Sequence, residues 1–261
     1  MESDNSMNFT FTQGEVPCQI PEKFLAHYGP EPHLQFIARK GTLRHACGDH
    51  TVYRLPEIGI VLTKGDRTIL RTEYFQDLTA RFAAVERAID NATPEEKMRL
   101  SLQNLQPLDG SVDAALAKVF RLIDQEGPFD GVIGHSEGTA MAATVLLEER
   151  RRFRETGRPQ QLKCAILFNG FPPLIPGKNR YLLADEGRGT LGYEDWFINV
   201  PTLHVLGSLD PWVYGSLALY NVCCNDKAIL FDHGGGHSVP RDARTIRELG
   251  QIVREMIDGL K

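Results

Sequence analysis

The pentapeptide Gly134-His135-Ser136-Glu137-Gly138 holds the residue types of a nucleophile set in a sharp turn. A serine hydroxyl is a weak nucleophile at neutral pH until a base takes its proton. Flanking glycines let the chain lift that hydroxyl clear of a sheet while a helix starts beneath it. With 24 glycines in the chain, roughly 0.1 chance matches to G-x-S-x-G are expected, so the context has to decide. Gly131–His135 reads as a short strand before the serine, and Gly138–Leu147, rich in small and apolar residues, reads as a helix after it. That setting places the backbone N–H of Glu137 at a helix N-terminus, where developing negative charge is favoured, and makes Glu137 the expected oxyanion donor. The alternative is an idle serine in a glycine-framed turn. The side chains of His135 and Glu137 are expected to shape the turn rather than react.

An activated serine needs a base and an acid that orients it, in the chain order serine, acid, histidine. After the apolar run Thr202–Leu206 comes Gly207-Ser208-Leu209-Asp210-Pro211, which sets Asp210 just past a strand end. Asp210 is the expected acid; a turn or capping aspartate before Pro211 is the alternative. After the run Ala228–Phe231 comes Asp232-His233-Gly234-Gly235-Gly236-His237, whose glycines would let a histidine swing back over the sheet edge. His237 is the expected base, and His233, closer to the strand end, is its rival. Three successive glycines also suit a phosphate, but no P-loop lysine follows them.

The elements that must position these residues are legible from about residue 110 onward. Leu116, Val119, Phe120 and Ile123 fall at helical spacing, and Gly127-Pro128 stops that helix. Cys164–Phe168, Thr202–Leu206 and Ala228–Phe231 are short apolar runs of the kind found in strands buried on both faces. Ile246, Leu249, Val253, Met256, Ile257 and Leu260 mark a last helix. The alternation of strand and helix implies an α/β fold with a mostly parallel sheet and helices on both faces. Residues 171–197, rich in Pro, Gly and charge, look too irregular for sheet or long helix; they are expected to form a lid, or else a plain surface connection. The first hundred or so residues are less regular. Ile58–Leu62 is the best strand candidate there, and Phe82–Met98 reads as an insertion helix with a buried stripe of Phe82, Val85 and Ile89. One domain is expected across residues 1–261, with an atypical portion up to about residue 107.

Hydrophobic residues make up 42% and charged residues 24% of the chain, the usage of an ordinary globular protein. A net charge of -5 leaves no basic footprint, so no nucleic-acid partner is expected. No run reaches the roughly 18 apolar residues of a membrane span, and the opening Met1-Glu2-Ser3-Asp4-Asn5 lacks the features of a signal peptide. A cytosolic location is expected. Five cysteines without paired C-x-x-C spacing read as reduced thiols, with a nucleophilic cysteine as the alternative and no metal site or cofactor expected.

With Gly134–Gly138, Gly207-Ser208-Leu209-Asp210 and Gly236-His237-Ser238-Val239-Pro240 in hand, the chain resembles the fungal-type serine hydrolases within the α/β-hydrolases. The lead-in Glu126-Gly127-Pro128-Phe129-Asp130-Gly131 resembles that family too. Its members include small esterases and the thioesterases that release polyketides in fungal secondary metabolism. The resemblance implies cleavage of an acyl ester or thioester through a Ser136 acyl-enzyme, with a small acyl compound or an acyl carrier as partner. Tyr181, Tyr193, Trp196 and Phe197 of the lid stretch would then line the acyl site, or merely pack together.

The front departs from the family pattern, which opens with a strand and a His-Gly loop that supplies the second oxyanion N–H. No such loop is found, and Phe9–Pro17 resembles a family stretch lying after that opening. Low turnover is therefore expected, because only the Glu137 N–H is a clear oxyanion donor, and reduced stability as well unless Ile58–Leu62 takes the missing strand's place. The contrasting reading is an accessory or binding protein, inactive or weakly active, that retains the three residues without a complete oxyanion hole. A peptidase is a weaker reading, because no subsite for an extended peptide is evident.

Overall fold

The computed structural model describes residues 10–14, 50–54, 60–62, 84–85, 91–102, 111–126, 128–176, 178, 180–186 and 197–260. Its main sheet takes β1 (Thr10–Gly14), β2 (His50–Arg54), β3 (Ile60–Leu62), β4 (Gly131–His135), β5 (Cys164–Phe168), β8 (Thr202–Leu206) and β9 (Ala228–Asp232) in the order β2-β1-β3-β4-β5-β8-β9. Only the β1–β2 pair is antiparallel; every other neighbour is parallel. The strand that leads into Ser136 is therefore central, flanked by β3 and β5.

Side chains alternate across each strand, and the alternation separates two cores. Ala165 and Leu167 of β5 face Leu116, Phe120 and Ile123 of α2 (Ser111–Glu126) and Ala142, Val145 and Leu146 of α3 (Glu137–Thr156). Cys164 and Ile166 face the other way, where Leu203 and Val205 of β8 meet Leu249, Val253 and Met256 of α5 (Ala243–Asp258). The four strands from β4 to β9 and both helical layers lie as the sequence pattern implies. Asp242 caps α5 by accepting the Thr245 N–H at 2.9 Å, and Gly157, at φ 74°, closes α3 in the left-handed region.

The insertion helix differs from expectation. Residues 84–85 are helical, but 91–93 are not, and α1 starts afresh at Pro94 and runs to Leu102. Thr93 and Glu96 explain the restart. The Glu96 N–H donates to Thr93 Oγ1 at 3.2 Å and the Thr93 N–H donates to Glu96 Oε2 at 2.8 Å, a reciprocal cap with proline at the first helical position. Phe82 and Ile89 lie outside the described residues. α1 packs on α4 (Val213–Asn221), with Met98 fully buried, Ser101 Oγ 2.5 Å from Tyr214 Oη, and Glu95 accepting from Asn221 Nδ2 at 2.8 Å.

β9 is a second correction. It sits at the sheet edge, and Ile229 and Leu230 are 37% and 45% exposed, so it is not buried on both faces as its apolar run suggested. A third concerns the stretch after Phe171, which contains a small antiparallel hairpin, β6 (Leu174–Ile175) with β7 (Arg180–Tyr181). Phe171, Leu174, Ile175, Leu182, Leu183 and Ala184 are all buried, so this first half is core rather than a loose surface connection. The remainder of the expected lid, including Tyr193 and Trp196, falls outside the described residues.

Among the described residues the front supplies three strands, of which only β3 was legible beforehand. Ile60, Val61 and Leu62 pair with Val132, Ile133 and Gly134, so this segment does occupy the place beside the Ser136 strand. No helix among the described residues is long and apolar enough to cross a membrane.

Candidate active site

Ser136 stands between β4 and α3 at φ 57°, ψ −124°, a conformation that L-residues avoid at a cost of about 1–3 kcal/mol. Close packing holds it there. A Cβ on Gly134 would lie 2.7 Å from the Cα of Thr139, so only glycine lets the helix approach the strand this closely. The Ser136 N–H donates to the Phe168 carbonyl at 2.9 Å, and the Ser136 carbonyl accepts from Thr139 N–H at 3.0 Å and Thr139 Oγ1 at 2.5 Å. Thr139 Oγ1 also accepts the Phe171 N–H at 2.7 Å, tying the turn to the chain beyond β5.

The fold brings three of the residues singled out by sequence into one line. His237 Nε2 lies 2.8 Å from Ser136 Oγ, and His237 Nδ1 lies 2.7 Å from Asp210 Oδ2. The Asp210 side chain is 1% exposed and that of His237 23%, so the carboxylate is sheltered while the imidazole keeps an open side. The other carboxylate oxygen accepts the Trp212 N–H at 2.9 Å, which fixes the acid at the start of α4. With Nδ1–H donating to Asp210, Nε2 is left as an acceptor for the Ser136 proton, the tautomer a general base requires.

His233 is left out of this line. Its Nε2 is buried without a hydrogen-bond partner among the described residues, and burial holds its pKa below the usual histidine value against the raising influence of Asp232, Asp210 and Asp242. Asp232, beside it, organises the loop by accepting the N–H groups of Ser208 at 2.9 Å and Gly234 at 2.7 Å; the Gly234 bond first of all lowers its pKa. Burial pushes the Cys164 thiol up to about 11 and the Cys223 thiol up to about 12, so neither offers a thiolate at neutral pH.

Glu137 opens α3, and its backbone N–H is one of the helix-initial donors that have no intrahelical acceptor. Leu62 pairs with Gly134, so β3 ends at the same sheet edge as Ser136. The residues that follow Leu62 lie outside the described ones, as does any second donor they would supply.

Sequence reasoning missed several contributors. The Trp212 ring packs on His237 with centroids 4.6 Å apart, and the His135 ring lies 5.7 Å from the same imidazole. Trp212 in turn meets Phe171 at 5.5 Å, and Phe171 meets Tyr181 at 6.2 Å, so Tyr181 of the expected lid joins an aromatic series that ends on the histidine. Phe197 does not. Its carbonyl is held by Arg150 Nη1 at 2.8 Å, thirteen residues along α3 from Glu137 and so about 20 Å from the serine end of that helix. The signal for Trp212 was its place directly after Asp210-Pro211.

The acid and base loops interlock at Gly207. A Cβ there would lie 2.1 Å from the Gly235 carbonyl oxygen and 2.7 Å from that of Gly236, and the Leu209 N–H donates to the same Gly235 oxygen at 2.9 Å. Gly207→Ala is therefore expected to cost about 1–3 kcal/mol through overpacking. That would appear as a thermal midpoint lowered by roughly 2–12 °C, with turnover reduced alongside. An unchanged midpoint in a melting scan would show that the loops are looser than this contact implies.

A mostly parallel sheet with helices on both faces, carrying a serine in a strained strand-to-helix turn at its centre, is the arrangement of the α/β-hydrolase class. Within that class, the profile of the family described as serine hydrolase (FSH1) matches residues 76–249, and the chain belongs to that family. It is 31% identical over 153 residues to esterase FPY3 of Fusarium mangiferae, an overlap that takes in 56% of this chain and 65% of that protein. It is also 33% identical over 149 residues to hydrolase phiM of Talaromyces stipitatus, with 55% of this chain and 56% of that protein covered. The chain thus spans under two thirds of the length of these relatives. Against the crystal structure of Zea mays acyl-protein thioesterase 2 the TM-score is 0.42 at 16% identity, covering 59% of this chain and 68% of that one.

Proposed function

We propose that the protein hydrolyses an acyl ester or thioester through an acyl-enzyme on Ser136. The observation that carries this reading is the pair of short contacts at His237, 2.8 Å to Ser136 Oγ and 2.7 Å to Asp210. In the first half-reaction His237 Nε2 takes the hydroxyl proton as Oγ bonds to the acyl carbon. The resulting oxyanion is stabilised by the Glu137 N–H at the head of α3. Collapse expels the alcohol or thiol, which leaves with the proton held on Nε2. Water then repeats the sequence and releases the acid. Asp210 keeps its negative charge throughout and stabilises the imidazolium.

The relatives named esterase and hydrolase fit this chemistry, and the Trp212–Phe171–Tyr181 series packs apolar side chains beside the base. We place the reaction at product release in polyketide biosynthesis, with a free acyl ester or an acyl carrier thioester as the substrate. The free thiols of Cys164, Cys223 and Cys224 fit a reducing compartment such as the cytosol. A fluorophosphonate should label the protein stoichiometrically, and acyl p-nitrophenyl esters and acyl-pantetheine thioesters should be turned over. A chain that takes no label and hydrolyses neither series is an accessory protein instead.

A further inference from the structure

We propose that Asn169 is the positioning residue that holds the acid loop and the base loop to the serine strand, an inference that rests on the hydrolase reading of Ser136. Asn169 follows directly on β5, whose last residue, Phe168, supplies the carbonyl that holds the Ser136 N–H at 2.9 Å. Its own N–H donates to the Val205 carbonyl at 2.8 Å. The side chain then reaches both remaining loops. Oδ1 accepts the Gly207 N–H at 3.2 Å, three residues before Asp210, and Nδ2 donates to the Ser238 carbonyl at 3.0 Å, one residue after His237. Two consecutive residues thus fasten the nucleophile turn, the acid loop and the base loop to one strand end.

The backbone is shaped for the task. Asn169 stands at φ 46°, a left-handed conformation that asparagine tolerates better than most residues, and it is 1% exposed. Gly207 is buried, so its N–H has no water to replace the amide oxygen if that is removed, while the Ser238 carbonyl, on an exposed residue, loses its tie to the strand end. A carboxamide is the one side chain of this size with an acceptor for the first and a donor for the second. The side-chain hydrogen bonds of Asn169 go to backbone atoms of Gly207 and Ser238 and leave Ser136 Oγ and the His237 ring to each other, so its influence passes through the placement of His237 against Asp210. A displacement of about 1 Å in such a constellation costs about a hundredfold in rate.

Two variants and a spectroscopic readout test this. Asn169→Gly accepts the positive φ while removing both side-chain bonds; Asn169→Asp keeps the acceptor for Gly207 but sets an oxygen against the Ser238 carbonyl. Both are expected to lower kcat about 10- to 100-fold with KM within about threefold. Both should also weaken or abolish the far-downfield proton resonance of the His237 Nδ1–H. Wild-type kcat with an intact resonance in either variant overturns the proposal, as does a rise confined to KM. If Asn169→Gly does not fold, Asn169→Asp carries the comparison. The resonance needs no turnover. A wild-type chain that neither labels nor hydrolyses, yet shows a resonance that Asn169→Gly removes, supports the clamp and overturns the hydrolase reading. An inert chain whose resonance survives both substitutions overturns both.

Discussion

Ser136→Ala is expected to abolish fluorophosphonate labelling and to lower acyl ester turnover about a millionfold, the loss seen when a triad nucleophile is removed. The hydroxyl is the only nucleophilic atom that His237 Nε2 meets at hydrogen-bond distance among the described residues, at 2.8 Å. Cys164 and Cys223 do not substitute for it: burial keeps both protonated, with pKa values of about 11 and 12. The loss should not come from unfolding. Because the residue stands at φ 57°, Ser136→Gly relieves backbone strain of about 1–3 kcal/mol and should melt above Ser136→Ala while being equally inactive. Active-site labelling, turnover and a melting scan on the three proteins check this. Label that survives in Ser136→Ala points to another nucleophile and removes the basis of the proposed mechanism.

His237→Ala should be nearly as severe, because Ser136 loses the acceptor for its proton. Asp210→Asn is expected to lower kcat about ten-thousandfold. An amide at that position can present its NH2 to Nδ1, which leaves the proton on Nε2, where it blocks acceptance from Ser136. Trp212, 4.6 Å from the imidazole, would hold the ring in place while its tautomer is wrong, so the defect should fall on kcat with little change in KM. His233→Ala is the control. It lies on the same glycine loop but outside the hydrogen-bonded line, and turnover should stay within about threefold. Steady-state kinetics of the three variants give the ranking, and a His233 variant more damaged than the His237 variant would reverse the assignment of the base.

Much of this site was legible before any coordinates. The strand–serine–helix unit around Ser136 is local: apolar run, glycine-framed turn and small-residue helix are neighbours in sequence, and each obeys its own periodicity. β5 and β8 span the residues the pattern marked, Cys164–Phe168 and Thr202–Leu206. Local chemistry was also missed where it was present, since Thr93-Pro94-Glu95-Glu96 encodes a capping box that breaks the expected helix over Phe82–Met98. The apolar run of β9 was over-read, because an edge strand and a buried one can share a composition while differing only in what lies beside them.

The sequence by itself determined the residue types, their chain order and the elements that carry them, because turn chemistry and side-chain alternation act over a few residues. Only the tertiary structure decided which histidine meets the serine, since His233 and His237 sit on one glycine-rich loop whose local sequence allows either. The choice is made by contacts between distant segments: Gly207 against Gly235 and Gly236, Leu209 N–H on the Gly235 carbonyl, and Asn169 between Gly207 and Ser238. Such contacts form where strands far apart in sequence end at a common edge, and no periodicity along the chain records which loops will meet there.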